Sequence, residues 1–250
     1  MSDGYFDEEI ASTYDDDHSM SAPDVVDPVV DFLAGLTGAG RSLEFGVGTG
    51  RIAIPLLERG MAVAGIDLSN AMVSKLRAKP GGESIPVTIG DFATTRVDGE
   101  FDLVYLVYNT IMNLDSQVRQ VACFRNASAH LRPGGCFVIE VMVPEIRGLA
   151  PDNTRHVWEL SESHWGIDEY EVATQRVTSH HLKITQGRTQ RFSMPFRYVW
   201  PAELDLMAEL AGMRLRERWG SWRRDPFTDD STFHVSVWEK PAGGGSDEQQ

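Results

Sequence analysis

Leu43-Glu44-Phe45-Gly46-Val47-Gly48-Thr49-Gly50-Arg51 joins an acidic strand end to alternating glycines at the mouth of a helix. Glycines at 46, 48 and 50 leave no Cβ atoms in the turn, so the backbone can bend tightly and a ligand can lie against its N–H groups. That is chemistry for holding a nucleotide-type cofactor. Asp67, 21 positions after Gly46 at the end of a second apolar run, can accept both hydroxyls of a ribose. Asp91, in Ile89-Gly90-Asp91-Phe92, closes a third run. The dinucleotide fingerprint G-x-G-x-x-G needs glycine at 51, where the chain has Arg51, so the NAD reading loses its third glycine. Taken singly, Glu44 can cap a strand edge, Asp67 a helix, and Asp91 can be an ordinary turn acid. Their joint placement at the ends of consecutive strands, where open α/β sheets bind ligands, favours a cofactor site.

The elements that must carry these residues alternate. Apolar residues at 25, 26, 29, 30, 32, 33 and 36 predict an amphipathic helix over Pro23–Leu36, ended by Gly35, Gly38 and Gly40. Strand Arg41–Phe45, helix Ile52–Arg59 and strand Met61–Ile66 then form a βαβ unit, which calls for a parallel sheet with a right-handed crossover. Helix Ala71–Ala78, strands Val87–Ile89 and Phe101–Tyr108, helix Gln117–Leu131 and strand Cys136–Val143 continue it. Short apolar strands between helices suit a sheet covered on both faces. Pro133-Gly134-Gly135 is turn chemistry.

The spacing E-x-G-x-G-x-G resembles motif I of the class I S-adenosylmethionine-dependent methyltransferases. The resemblance extends to Gly65-Ile66-Asp67-Leu68-Ser69-x-x-Met72, to Gly90-Asp91-Phe92, to Phe101-Asp102-Leu103-Val104-Tyr105 and to Leu131-Arg132-Pro133-Gly134-Gly135, covering about 43–143. It implies S-adenosyl-L-methionine as cofactor, with S-adenosyl-L-homocysteine as product. The loop backbone at Gly46, Gly48 and Gly50 would face the methionine part, Asp91 would take the adenine amino group, and Phe92 would hold the ring. Glu44, Leu68 and Met72 fall within the same motifs. Tyr14 sits where related enzymes carry an N-terminal tyrosine that folds over the cofactor. In this fold the loop Tyr108-Asn109-Thr110-Ile111-Met112-Asn113 borders both cofactor and acceptor, so Asn109 and Asn113 are candidates for orienting a polar acceptor, although asparagine after a strand is also ordinary loop chemistry.

Beyond Val143 the pattern turns β-rich. His156–Leu160, Tyr170–Val177, His181–Thr185 and Gln190–Trp200 predict antiparallel strands, with Gly166 and Gly187 as breaks. Phe192, Met194, Phe196, Tyr198 and Trp200 alternate with Arg191, Ser193, Pro195, Arg197 and Val199, giving one apolar, mostly aromatic face. That face either packs against the core or a second copy, or closes as a lid over the acceptor. Helix Pro201–Leu210 and strands Arg214–Trp219 and Phe233–Glu239 complete the chain, the strands as an antiparallel hairpin with a short loop. The expectation is a Rossmann-like α/β class I methyltransferase fold. It has a mostly parallel seven-stranded sheet and an antiparallel insertion placed as in enzymes that methylate amino sugars, glycine or natural-product intermediates. Its parts are an N-terminal cap and helix (1–40), a cofactor core (41–143), the insertion (144–200), a C-terminal completion (201–240) and a disordered tail (241–250).

Methyl transfer from a sulfonium depends mainly on alignment, with a base needed where the acceptor must lose a proton. His18, His164, His180, His181 and His234 are available, and His18 is carried as the candidate base. His180 and His181 are adjacent in a strand and point to opposite faces, which argues against one shared metal, and no metal site is expected. A formal net charge of -14 repels a phosphate backbone, so nucleic acid is disfavoured, with Arg214, Arg216, Arg218, Arg223 and Arg224 as a local exception. No apolar run is long enough for a bilayer, and the acidic Met1–Asp17 lacks the order of a secretion signal, so a cytoplasmic protein with no membrane partner is expected. Cys123 and Cys136 have no ligand spacing and read as packed thiols. The function expected is methylation of nitrogen or oxygen on a small-molecule acceptor, with a homodimer through the insertion as a possible assembly. A tRNA or protein methyltransferase, or a non-catalytic cofactor-binding regulator, is the alternative.

Overall fold

A computed structural model describes residues 8, 11, 14–16, 21–150, 152–185 and 187–242. Helix α1 (Pro23–Thr37) precedes β1 (Arg41–Phe45), α2 (Ala53–Glu58), β2 (Ala62–Asp67), α3 (Asn70–Ala78), β3 (Val87–Ile89), β4 (Phe101–Leu106), α4 (Gln117–His130) and β5 (Leu131–Met142). After the insertion come α5 (Pro201–Leu210), β10 (Arg214–Trp219) and β11 (Phe233–Glu239). The seven-stranded sheet runs β10-β11-β5-β4-β1-β2-β3. The pairs among β1 to β5 are parallel, and β11 is antiparallel to both β5 and β10.

Strand side chains alternate between two helical layers, as pleating requires. Leu43, Phe45, Val104, Phe137 and Ile139 pack with Phe124 and Ala127 of α4 and Leu204 and Met207 of α5. Leu103, Tyr105 and Val138 face Val30 and Leu33 of α1 and Leu56 of α2. Because β1 has β2 on one side and β4 on the other, the chain reverses direction of sheet growth at β1. The carboxyl ends of β1 and β4 therefore open a crevice, the place where such sheets bind ligands.

A second sheet, β6-β7-β8-β9, is antiparallel throughout and comprises β6 (Arg155–Leu160), β7 (His164–Glu171), β8 (Arg176–Thr185) and β9 (Arg188–Arg197). Three expectations need correction here and in the main sheet. The strand expected over Tyr170–Val177 is broken in its middle: Tyr170 and Glu171 end β7, Arg176 and Val177 begin β8, and 172–175 form the turn between them, where Val172 and its neighbours have strand-like residue types but the Gln175 φ of 55° turns the chain back. Gly166 does not break a strand. It lies inside β7 because Trp158 crosses it, and a Cβ there would meet the indole at 2.3 Å. The connection between β10 and β11 is the long segment 220–232 rather than a short loop. Pro133-Gly134-Gly135 is accommodated as a bulge in β5, since the register moves from Phe101 opposite Leu131 to Leu103 opposite Cys136. The expected tail residues 243–250 lie outside the described residues.

Candidate active site

β1 runs directly into the glycine turn. The N–H groups of Gly46 and Val47 both reach the Ile66 carbonyl, at 2.8 and 3.1 Å, which lashes the turn to the end of β2. Gly46 has φ 75° and Gly48 φ 54°, conformations that a Cβ disfavours. At Gly46 a Cβ would also come within 2.9 Å of the Thr110 methyl. Gly50 faces the other way, packing on Ile54 and Leu76.

Asp67 ends β2 and closes the turn from the opposite side. Its Oδ2 accepts from the Gly48 N–H at 2.7 Å and its Oδ1 from the Ser69 N–H at 2.8 Å. The helix cap read as a possible task for Asp67 belongs to Ser69, whose Oγ accepts from Met72 N–H at 3.2 Å.

Asp91 follows β3. Its Oδ1 accepts from Ala93 N–H at 2.9 Å, and its Oδ2 from Arg119 Nη2 at 2.6 Å. The neighbouring Phe92 ring stacks on Phe45, 5.9 Å between centroids. Asn126 of α4 donates to the carbonyls of Phe92 and Thr95, at 2.7 and 2.9 Å, and fixes this turn against the helix.

A cavity of about 330 Å³ joins these pieces, within the usual range for a ligand site. Tyr14, Gly46, Gly48, Asp67, Leu68, Met72, Asp91, Phe92 and Asn113 border it, together with Thr110, Leu114, Asp115, Arg119 and one residue of the insertion, Pro195. Pro195 lies in β9, the edge of the second sheet, where a missing N–H costs no ladder bond. Arg119, Asp115 and Pro195 carry no motif. Only the four-residue spacing of Asp115 and Arg119 is visible in sequence, and it says nothing of Asp91.

Four of the expected residues do not border the cavity. Glu44 is buried beneath the turn, where Tyr105 Oη donates to its Oε2 at 2.9 Å, and burial pushes its carboxyl up to about 8 against that bond and the Arg51 charge. Gly50 is a packing residue. Tyr108 and Asn109 both take left-handed conformations, φ 58° and 60°, and turn the chain into the one-turn helix Thr110–Asn113. The Asn109 Oδ1 accepts from Met142 N–H at 2.7 Å, so that amide holds the loop to β5. Glu140 completes the brace, accepting from Tyr108 N–H and from Trp222 Nε1–H, both at 2.8 Å, and burial pushes its carboxyl up. The Arg51 guanidinium lies 5.1 Å from the Tyr108 ring centroid.

His18 lies outside the described residues. His164 and His181 meet each other at 3.1 Å within the second sheet, and His181, desolvated by burial, is pushed down to about 4. His180 bonds Ser193 and Glu169 on the opposite face, and buried His234 bonds Ser236 at 2.8 Å. None of these four borders the cavity. Among the described residues no group of three or more His, Cys, Asp or Glu side chains is arranged to hold a metal ion.

A seven-stranded sheet of this order, with a glycine turn after β1, Asp67 ending β2 and Asp91 just beyond β3, defines a Rossmann-like fold of the adenosyl-cofactor-binding class. Residues 43–135 match the family described as Methyltransferase domain. The CcbJ methyltransferase of Streptomyces caelestis is 34% identical, and the two structures align over 97% of this chain and 100% of that one with a TM-score of 0.84. The cypemycin N-terminal methyltransferase of a Streptomyces species is 28% identical over 90% of this chain and 97% of its own. CalS10 of Micromonospora echinaspora, an amino pentose methyltransferase solved with S-adenosylmethionine bound, shares the fold at 21% identity and TM-score 0.63, over 94% and 98% of the two chains. The chain belongs to the S-adenosylmethionine-dependent methyltransferases. It is an enzyme, and its cofactor is S-adenosyl-L-methionine.

Proposed function

We propose that the protein methylates a nitrogen or oxygen of a small-molecule acceptor, with an amine of natural-product type as the favoured class. One observation carries this reading. The same cavity is lined by the cofactor-type residues Gly46, Gly48, Asp67 and Asp91 and by Asn113 and Pro195 of the insertion. The acceptor would enter between the loop after β4 and that sheet. The names of relatives point the same way: the cypemycin enzyme is an N-terminal methyltransferase and CalS10 acts on an amino pentose.

The bound cofactor supplies an activated methyl group on a sulfonium. Asp67 and Asp91 offer acceptors to hydroxyl and amino groups, Met72, Leu68 and Phe92 supply apolar walls, and Tyr14 covers the turn. Asn113, whose Nδ2 donates to the Thr110 carbonyl at 3.1 Å, presents its Oδ1 as an acceptor-orienting group. Asn109 acts indirectly, by holding the loop. Alignment and exclusion of water supply most of the rate in this reading.

A macromolecular acceptor is disfavoured by what the arginines near the C-terminus do. Arg218 pairs with Asp205 at 2.7 Å, Arg214 with Glu239 at 3.5 Å, Arg223 donates to the Asp24 carbonyl, and Arg224 lies over Phe32. They are spent on the protein's own groups. A homodimer through the second sheet is supported by its outer face, where Trp165 opposes Leu182 and Val157 opposes Ile167, with Val157 53% and Trp165 48% exposed. Light scattering tests that assembly.

Titration calorimetry with S-adenosylmethionine, followed by detection of S-adenosylhomocysteine release across a panel of amines and alcohols, tests the activity. Binding with turnover on an amine supports the proposal. Binding with no turnover on any small acceptor, but turnover on tRNA or protein, would replace it.

A further inference from the structure

Gln120 lies on the buried face of α4, in line with Cys123, Phe124 and Ala127, and is fully shielded from solvent. The other three are apolar, as the core-facing stripe of a helix should be. An amide at such a position costs free energy unless its polar atoms find partners inside the protein. They do, and the partners lie outside α4. The side-chain Nε2 donates to the Ile111 carbonyl at 3.3 Å and to the Arg197 carbonyl at 3.2 Å, while Oε1 accepts from Arg197 Nη1. Both N–H bonds of the amide are thereby used.

Those two carbonyls belong to different parts of the chain. Ile111 sits in the one-turn helix Thr110–Asn113, two residues before Asn113, and Arg197 ends β9, two residues after Pro195. Asn113 and Pro195 both border the cavity, whereas Gln120 does not. One side chain of α4 therefore holds the loop after β4 and the end of the insertion together. Arg197 is fixed in turn by Glu203 and Gln175, at 2.7 and 3.2 Å, so the insertion end of this tie is itself anchored.

We propose that Gln120 is a positioning residue for the acceptor: it sets Asn113 and Pro195 in register with each other, and so places an acceptor held between the loop after β4 and the insertion. This rests on the proposed entry of the acceptor between those two segments. Gly46, Gly48, Asp67 and Asp91 make none of these bonds, so Gln120 acts on the acceptor rather than on the cofactor.

Gln120→Met keeps the volume and the helix preference and removes the amide. Hydrogen exchange of the full chain, read by mass spectrometry, should speed up in 110–114 and 193–197 together and stay unchanged in 44–50 and 65–72. S-adenosylhomocysteine affinity by titration calorimetry should stay within about twofold of wild type, as for independent sites. On an amine that the wild type methylates, kcat/KM for the acceptor should fall about tenfold or more, the scale of a small misplacement, while KM for S-adenosylmethionine holds. Phe124→Leu is the control, since it disturbs the same face of α4 through ring contacts with Phe137 and Trp238, neither of which lies in those two segments. It should lower the melting temperature without the paired change in exchange. Faster exchange in only one of the two segments of Gln120→Met, the same pattern in Phe124→Leu, or equal losses toward acceptor and cofactor would overturn the proposal. Wild-type enzyme that turns over no small acceptor counts against the proposed function instead, and the exchange pattern then decides the role of Gln120 by itself.

Discussion

The Thr49 hydroxyl donates to Asp15 Oδ1 at 2.7 Å, tying the segment 14–16 to the glycine turn. Lys79 strengthens the tie, its Nζ reaching Asp15 Oδ2 and the Thr49 carbonyl, both at 2.9 Å. Tyr14, the next residue, is thereby placed on the cavity wall. Asp15→Ala should weaken S-adenosylhomocysteine binding by about 1.5 kcal/mol, the low end for a hydrogen bond to a charged group, while leaving the melting temperature nearly unchanged. Calorimetry checks the first and a thermal melt the second. Equal affinity in Asp15→Ala and wild type would mean that Tyr14 needs no anchor, and Tyr14→Phe asks whether its hydroxyl matters at all.

Gly46→Ala is expected to abolish measurable cofactor binding while the protein still folds. The φ of 75° alone costs alanine about 1–2 kcal/mol, and the added methyl lies 2.9 Å from Thr110 Cγ2. Adding Thr110→Ser removes that methyl and should restore part of the affinity, but not all, because the backbone conformation is unchanged. Full recovery in the double variant would show that crowding is the whole defect.

Glu44 makes stability pH-dependent. Folded, its carboxyl ionises near 8 because it is buried; unfolded, it ionises near the ordinary 4.5. Between those values the unfolded chain releases a proton that the folded chain keeps, so this group's contribution to stability falls as pH rises from about 4.5 to about 8 and is level outside that window. Glu44→Gln keeps an acceptor for the Tyr105 hydroxyl and removes the titration. Thermal melts at about pH 5 and about pH 8 should show a larger loss in wild type than in the variant. Parallel losses would mean that the carboxyl titrates normally.

Arg197, at the end of β9, is 6% exposed and pairs with Glu203 of α5 at 2.7 Å; the side-chain oxygens of Gln120 and Gln175 each accept a further bond from it. Gln117 and Gln175 in turn donate to Glu203, at 2.7 and 2.9 Å. Glu203→Leu leaves a buried cation without its counter-charge and should cost about 3–5 kcal/mol in chemical denaturation. The double variant Arg197→Met with Glu203→Leu should cost less than the single one, since no charge is then stranded. A double variant worse than the single would contradict that account.

Much of the main sheet was legible because its strands are short apolar runs punctuated by glycine and acids. Arg41–Phe45, Val87–Ile89, Arg214–Trp219 and Phe233–Glu239 fall where periodicity and breakers place them. The insertion was less legible. Residue types at Tyr170–Val177 are as strand-like as those of β7 and β8, and only pairing with neighbours shows where the chain turns. Gly166 looks like a breaker until Trp158 is seen lying across it.

The site divides in the same way. Gly46, Gly48, Asp67 and Asp91 were readable as cavity-bordering positions because each lies at or just beyond a strand end, and a parallel sheet brings its strand ends together. The sequence by itself determined the methyl donor and the sheet that holds it, since both depend on local patterns repeated at fixed strand ends. Tertiary structure decided that Glu44 lies beneath the turn rather than in the cavity, that Asn109 braces β5, and that Arg119, Asp115 and Pro195 border the site. Those roles arise from contacts such as Asp91 with Arg119, 28 residues apart, and from which face of a strand or helix packing leaves open. No local pattern encodes that, because it exists only once the helices and the second sheet have closed on the strand ends.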